Sequence, residues 1–175
     1  MFDFLFRRGN ASNRWSRPPG LELTVELSPP AINGTPLGSH VEDFSFLGRS
    51  SLGGPGWLEF GDLGVALDLE DDGTCSGFQV VFEDPDGRFQ AFSGRLAVGR
   101  ATVRPADLVD ELGAPYWDDR DEDESVVYYE FSDYEIQLER TLEGENQRII
   151  VTNQPAMADA DHRRRCNVDK PWPPS

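Results

Sequence analysis

The chain is poor in the residues that make cross-links or metal sites. Its 175 residues include two cysteines and two histidines. Cys75 and Cys166 have neither a CxxC partner nor a metal-ligand spacing, so no disulfide framework is indicated and two free thiols are expected. No stretch approaches the roughly 20 apolar residues of a membrane helix. The opening "MFDFLFRRGN" runs apolar and then basic, the reverse of a secretory leader, and Asp3 interrupts its apolar part. The expectation is a cytoplasmic protein without a membrane span. Phe2, Phe4, Leu5 and Phe6 are expected to be loose or folded against the body, the alternative being weak contact with a membrane or partner.

Basic charge is scarce. Sixteen Lys and Arg face 32 Asp and Glu, a formal net charge of -16. Such a balance repels nucleic acid and anionic membranes and favours basic partners or cations. The acidity is local: from Asp107 to Glu145 there are fifteen acids and two Arg, whereas the first twenty residues hold four Arg and one Asp. "FRRGN" and "HRRRC" are basic spots without aromatic stacking platforms, and pairing with the acidic half is the expectation for them.

Catalytic signatures are missing as well. There is no HExxH, no GxSxG, no phosphate-binding glycine loop and no cysteine beside a plausible base. His40 stands near a helix start and His162 near the C-terminus. Carboxylates are the remaining candidates for acid–base work. No catalytic, cofactor or metal residue is assigned.

With 38% hydrophobic residues, eleven of them Phe, the chain is too apolar to be disordered. Residues 7–20 hold Pro18-Pro19-Gly20 and read as an arm or linker, so that 1–20 forms a flexible N-terminal segment. In "LELTVEL", Leu21, Leu23, Val25 and Leu27 alternate with polar residues, which is a half-buried strand. Ser39 and Glu42 stand in capping-box spacing before Val41, Phe44 and Leu47, predicting a short helix over 39–47 that stops at Gly48. "GWLEF", "LGVALDL", "FQVVF" and "RFQAFSGRLAVG" read as strands separated by turn residues, with Gly94 a bulge. "RPADLVDELG" predicts a second helix with Pro105 in its first turn and Gly113 as its stop. "SVVYYEF", "DYEIQLER" and "QRIIVTN" are strands, "PAMADADHRRR" one or two helical turns, and "KPWPPS" an extended tail.

The halves repeat one order of helix, glycine stop, loop and three strands. A constant offset of 69 residues carries Trp57–Phe82 onto Val126–Val151. Leu58 then falls on Val127, Phe60 on Tyr129, Leu67 on Ile136 and Val80 on Ile149, while Phe78 falls on Gln147, a mismatch. The predicted fold is α+β, predominantly antiparallel sheet from two tandem helix-plus-meander units, residues 21–100 and 101–153, with helices on one face and the other face open. Residues 154–175 would add a short helix and a proline-rich tail to one compact domain.

The "LGAP" at Leu112–Pro115, the acidic loop after it and the strand with Tyr128 and Tyr129 resemble units of the beta-lactamase inhibitor protein fold, and similar units of outer-membrane assembly lipoproteins and immunity-type proteins. The resemblance covers about residues 35–152. The first unit has "LGRS" in place of "LGAP", and the inhibitor fold's disulfides and secretion signal have no counterpart here. The resemblance implies a non-catalytic protein-binding surface on an open sheet face.

In "YWDDRDEDE" six of the seven residues from 118 to 124 are acidic. Asp119, Asp121, Asp123 and Glu130 fall at positions 1, 3, 5 and 12 of a calcium loop, but the required Gly is Glu124 and a strand follows. "DLEDDG" (68–73) has Gln79 at position 12 and reads as a hairpin turn. The expectation is an exposed, mobile, metal-free loop. The candidate contact residues for a basic protein partner are Tyr116, Trp117, Asp118, Asp119, Asp121, Glu122, Asp123 and Glu124. Trp172 in the tail either recognises a partner or docks on its own body; docking is the stronger reading. The functional expectation is a non-enzymatic protein-binding module, an immunity or adaptor protein. The alternatives are a small hydrolase or isomerase using carboxylates and a structural component of a larger assembly.

Overall fold

The structure, a computed structural model, describes residues 10–174. The Phe2, Phe4, Leu5 and Phe6 cluster lies outside the described residues. In chain order the regular elements are β1 (Thr24–Leu27), β2 (Pro30–Ile32), β3 (Thr35–Pro36), β4 (Leu52–Gly54), β5 (Trp57–Phe60), β6 (Val65–Leu69), β7 (Cys75–Val81), β8 (Arg95–Val98), β9 (Ala101–Val103), α1 (Leu108–Leu112), β10 (Trp117–Arg120), β11 (Ser125–Glu130), β12 (Glu135–Arg140), β13 (Asn146–Thr152) and α2 (Ala160–Arg165). Short 3-10 turns lie at Ala11–Arg14, Val41–Leu47, Gly61–Leu63, Pro105–Asp107 and Ala156–Ala158.

The fold is α+β and predominantly antiparallel. An eight-stranded sheet runs β10-β11-β12-β13-β7-β6-β5-β4, and a five-stranded sheet runs β3-β2-β1-β8-β9. Within the described residues β1 and β8 are the parallel pair.

Period-two alternation places the apolar residues of the large sheet in two rows. Leu58, Leu67, Phe78, Val151, Ile136 and Tyr129 are aligned across the strands, and Phe60, Val65, Val80, Ile149, Leu138 and Val127 form the adjacent row. All twelve are at most 7% exposed. Val25, Ile32 and Leu96 of the small sheet join the same core, as do Val41, Phe44 and Leu47 of the first 3-10 segment and Leu108 of α1. Each such buried side chain stabilises the fold by about 1.5–3 kcal/mol.

The hydrogen-bond registers correct the constant offset of 69. Leu47-Gly48 and Leu112-Gly113 end the two helical segments 65 residues apart, with near-identical glycine geometry: φ 80, ψ -162 at Gly48 and φ 80, ψ -151 at Gly113. β4 corresponds to β10 at the same offset, because Leu52 pairs with Glu59 as Trp117 pairs with Tyr128. Between the matching pairs Gly54↔Trp57 and Asp119↔Val126 the two residues 55–56 are replaced by the six residues 120–125, four more, so β5 matches β11 at 69. Leu58↔Leu67 then corresponds to Val127↔Leu138, and Leu67↔Phe78 to Leu138↔Ile149. From β6 onward the offset is 71, and Phe78 matches Ile149 instead of Gln147. Unequal turns are what a gap-free comparison misses. The two meanders meet where β7 pairs antiparallel with β13.

Several local expectations change. Residues 10–20 are docked, not a free arm. The Ser12 hydroxyl donates to Ser50 Oγ at 2.7 Å, Arg17 reaches the Leu47 carbonyl and Asp62, and Trp15 stacks on Phe60. The first helical segment is 3-10 and begins at Val41, capped by His40 Nδ1 accepting from Glu42 N, not by Ser39. Residues 88–94 are not strand. The Gln90 and Phe92 amides donate to the carbonyls of Gly61 and Val81, drawing the segment along the sheet end. The outer face of the large sheet is not fully open, because Glu130 and Glu135 on it are covered by residues 155–172.

Gly64 ends the Gly61–Leu63 turn with φ +67, and a Cβ there would lie 2.6 Å from the Gln90 carbonyl oxygen and 2.7 Å from Phe92 N. Both neighbours are backbone, so neither can swing aside. Gly64→Ala is expected to destabilise the protein by at least about 2 kcal/mol in a urea melt; a loss under about 0.5 kcal/mol would show that this turn is not constrained.

Candidate binding surface

The acidic run is not one loop. Its first half is β10, the edge strand of the large sheet, and residues 121–124 turn the chain into β11. Asp121 Oδ1 accepts from the amides of Asp123 at 2.8 Å and Glu124 at 2.9 Å. These bonds close the turn and hold the Asp121 carboxyl below its ordinary range. Strand followed by a hydrogen-bonded turn thus stands in place of the single loop expected.

Asp118, Asp119, Asp121, Glu122, Asp123 and Glu124 are all exposed. Among the described residues the ion pairs are Arg17–Asp62, Arg88–Glu59, Arg104–Asp107, Arg148–Glu139 and Arg164–Asp161, and none reaches this hairpin. The basic "HRRRC" does not pair with the acidic half either. Arg163 donates to the carbonyls of Met157 and Ala158, and Arg164 pairs with Asp161. The calcium-loop spacing falls on a hairpin in place of the helix it needs, and Glu130 is buried beneath the tail on the outer face. Among the described residues no group of three or more His, Cys, Asp or Glu is placed to hold a metal ion.

Next to the acids, Trp117 pairs with Tyr128 across β10 and β11, and their ring centroids lie 4.6 Å apart. Both side chains are half-buried on the outer face. Tyr116 is not part of this surface. It is buried, and its hydroxyl lies 3.1 Å and 3.2 Å from the carbonyls of Lys170 and Pro171. Trp117 follows Tyr128 outward, while Tyr116, just before β10, is held by Lys170 and Pro171 of the tail.

Sequence reading missed Glu130 and Glu135. They face each other across the β11–β12 hairpin at 5% and 0% exposure. Glu130 accepts from Met157 N at 3.1 Å and Trp172 Nε1 at 2.9 Å. Glu135 accepts from Ala156 N at 2.8 Å and from Gln137 Nε2. Burial first, then the hydrogen bond with Glu135, pushes Glu130 up to about 8. On the polar face of alternating strands such residues look solvated. The only signal was apolar Met157 and Trp172 in an otherwise polar tail.

A second polar region lies farther along the outer face. Trp57, Glu59, Asp68, Gln79, Arg88, Phe89 and Arg148 line a shallow cleft of about 170 Å³. Glu59 is paired with Arg88, and burial raises the Asp68 carboxyl while Gln79 opposes it.

The thiols are separate and of different kinds. Cys75 is fully buried, donates to the Gly77 carbonyl at 3.2 Å, and is pushed up to about 12 chiefly by burial. Cys166 is half-buried at the end of α2. An aromatic disulfide reagent at pH 8 is expected to titrate one thiol per native chain, at Cys166, and a second only after unfolding; two equally fast thiols would contradict the burial of Cys75.

Comparison of the chain with protein-family models, curated proteins and solved structures gave no match.

Proposed function

We propose that this protein is a non-enzymatic binding module of the immunity or adaptor kind, and that a basic protein docks on the acidic β10–β11 hairpin beside Trp117 and Tyr128. The observation that carries the reading is the six exposed carboxylates of residues 118–124 without an ion-pair partner among the described residues, held next to a half-exposed aromatic pair. Uncompensated charge of one sign steers an oppositely charged partner, and the aromatics supply area that releases water on contact. Charges along β10 also discourage indiscriminate pairing at the sheet edge. The helix-plus-meander order agrees with what the inhibitor-fold resemblance implies, with the binding surface moved from the sheet face to its acidic edge. A cytoplasmic location remains part of this proposal.

The second reading is a hydrolase or isomerase centred on Asp68 and Glu59, and the half-buried Asp68 carboxyl in the outer cleft supports it. Glu59 is already neutralised by Arg88 and the cleft is shallow, which weighs for the binding reading.

The test is affinity capture on the wild-type chain and on a D119N/D121N/D123N variant, followed by binding of each purified captured protein. The proposal expects a basic protein that binds the wild type and is lost or weakened on the variant and at high salt. A captured protein that binds both chains equally well, at either salt, would refute the hairpin as the docking surface.

A further inference from the structure

The segment after β13 has few contacts of its own type. It runs from Pro155 through the Ala156–Ala158 turn and α2 to Trp172, and it is fastened to the sheet by polar bonds. Three of its N–H groups, those of Ala156, Met157 and Trp172 Nε1, go to the two carboxyls of Glu130 and Glu135. Those carboxyls belong to directly paired residues of β11 and β12, and both residues are buried. Burial first, and then the neighbouring Glu135, keeps a proton on Glu130.

Among the described residues the surroundings supply no balancing cation. Just before β10, Tyr116 feels Glu130; within β11, Tyr128 feels Glu135. From the segment, Arg163 is spent on the carbonyls of Met157 and Ala158, and Lys170 on the carbonyl of Tyr116. Neither cation forms an ion pair with Glu130 or Glu135 among the described residues.

We propose that residues 155–174 are a proton-gated strap, latched over the end of the β11–β12 hairpin by the buried carboxyls of Glu130 and Glu135, and that loss of the Glu130 proton releases it. Its release would uncover Glu130 and Glu135 on the outer face.

The sign follows from linkage. Glu130 has an ordinary value near 4.5 when free and about 8 when covered. The latched state therefore holds more protons than the released state between those values. Its advantage is complete below about pH 4.5, shrinks as pH rises, and is gone above about pH 8. Within that window the latching equilibrium changes by about tenfold for each pH step of one.

Hydrogen exchange of the intact chain from pH 5.5 to 9, corrected for the intrinsic pH dependence of exchange, tests this. Protection of the Ala156 and Met157 amides is expected to fall about tenfold or more across that range, with the Ile136 and Ile149 amides unchanged. Glu130→Gln cannot ionise, and its amide can donate to Glu135, so its profile should be flat. Glu135→Gln leaves Glu130 buried but removes its neighbouring acid, so its profile should keep the same direction with a smaller loss across the range, and it serves if the first variant folds poorly. A flat wild-type profile, a pH dependence that survives in Glu130→Gln, a loss in Glu135→Gln unchanged from wild type, or a parallel loss at Ile136 and Ile149 would overturn the strap.

Discussion

Phe78→Ala is expected to lower stability by about 3–5 kcal/mol, in one cooperative transition that includes both meanders. Phe78 is fully buried on β7, paired with Leu67 on one side and Val151 on the other. It therefore sits at the join between the two sets of strands. Removing its ring loses the transfer free energy of the ring and leaves a cavity between sheets that cannot collapse fully. In a chain of this size the loss should lower the melting temperature by roughly 10 °C. Two separated transitions, with 125–152 melting apart from 24–98, would mean that the β7–β13 contact does not unite the units into one core.

Neutralising the hairpin carries the other large effect. D119N/D121N/D123N takes the formal charge from -16 to -13, all of it at one sheet edge. Association with a captured basic partner is expected to slow by about three- to tenfold at low ionic strength, with the difference closing as salt rises. Dissociation should change little, since steering acts before contact. The fold should hold, because D121N keeps the side-chain oxygen that accepts from the amides of residues 123 and 124. A variant with unchanged association rate at low salt, or one that unfolds, would contradict a purely electrostatic role.

How much of this was legible in the sequence depends on what kind of contact each element makes. β5, β6, β7, β11, β12 and β13 could be read because large apolar residues recur at every second position on the core face, and period two records that recurrence. The glycine stops at 48 and 113 were legible because a left-handed backbone has few alternatives. The parallel pairing of β1 with β8 was not, since the strands are separated by the whole first meander and no local pattern specifies such a neighbour. The docking of residues 10–17 depends on small polar groups, Asn10, Ser12 and Ser50, that carry no periodic signal.

The site divides the same way. The exposed acids and Trp117 were visible as composition. Tyr116, their neighbour, is buried and held by the tail, a long-range contact with no local signal, and β10 itself does not read as a strand. A run of Asp and Glu disfavours sheet, yet an edge position leaves those side chains in water and tertiary pairing with β11 wins. Glu130 and Glu135 escaped notice because burial by the chain's own tail is a long-range fact.

The most direct measurement of the central claim is hydrogen exchange of the chain with and without a purified captured partner. The account predicts new protection in residues 116–128, centred on the hairpin turn, and none in 57–68 or 84–89. Protection confined to those cleft segments, with 116–128 unaffected, would contradict it.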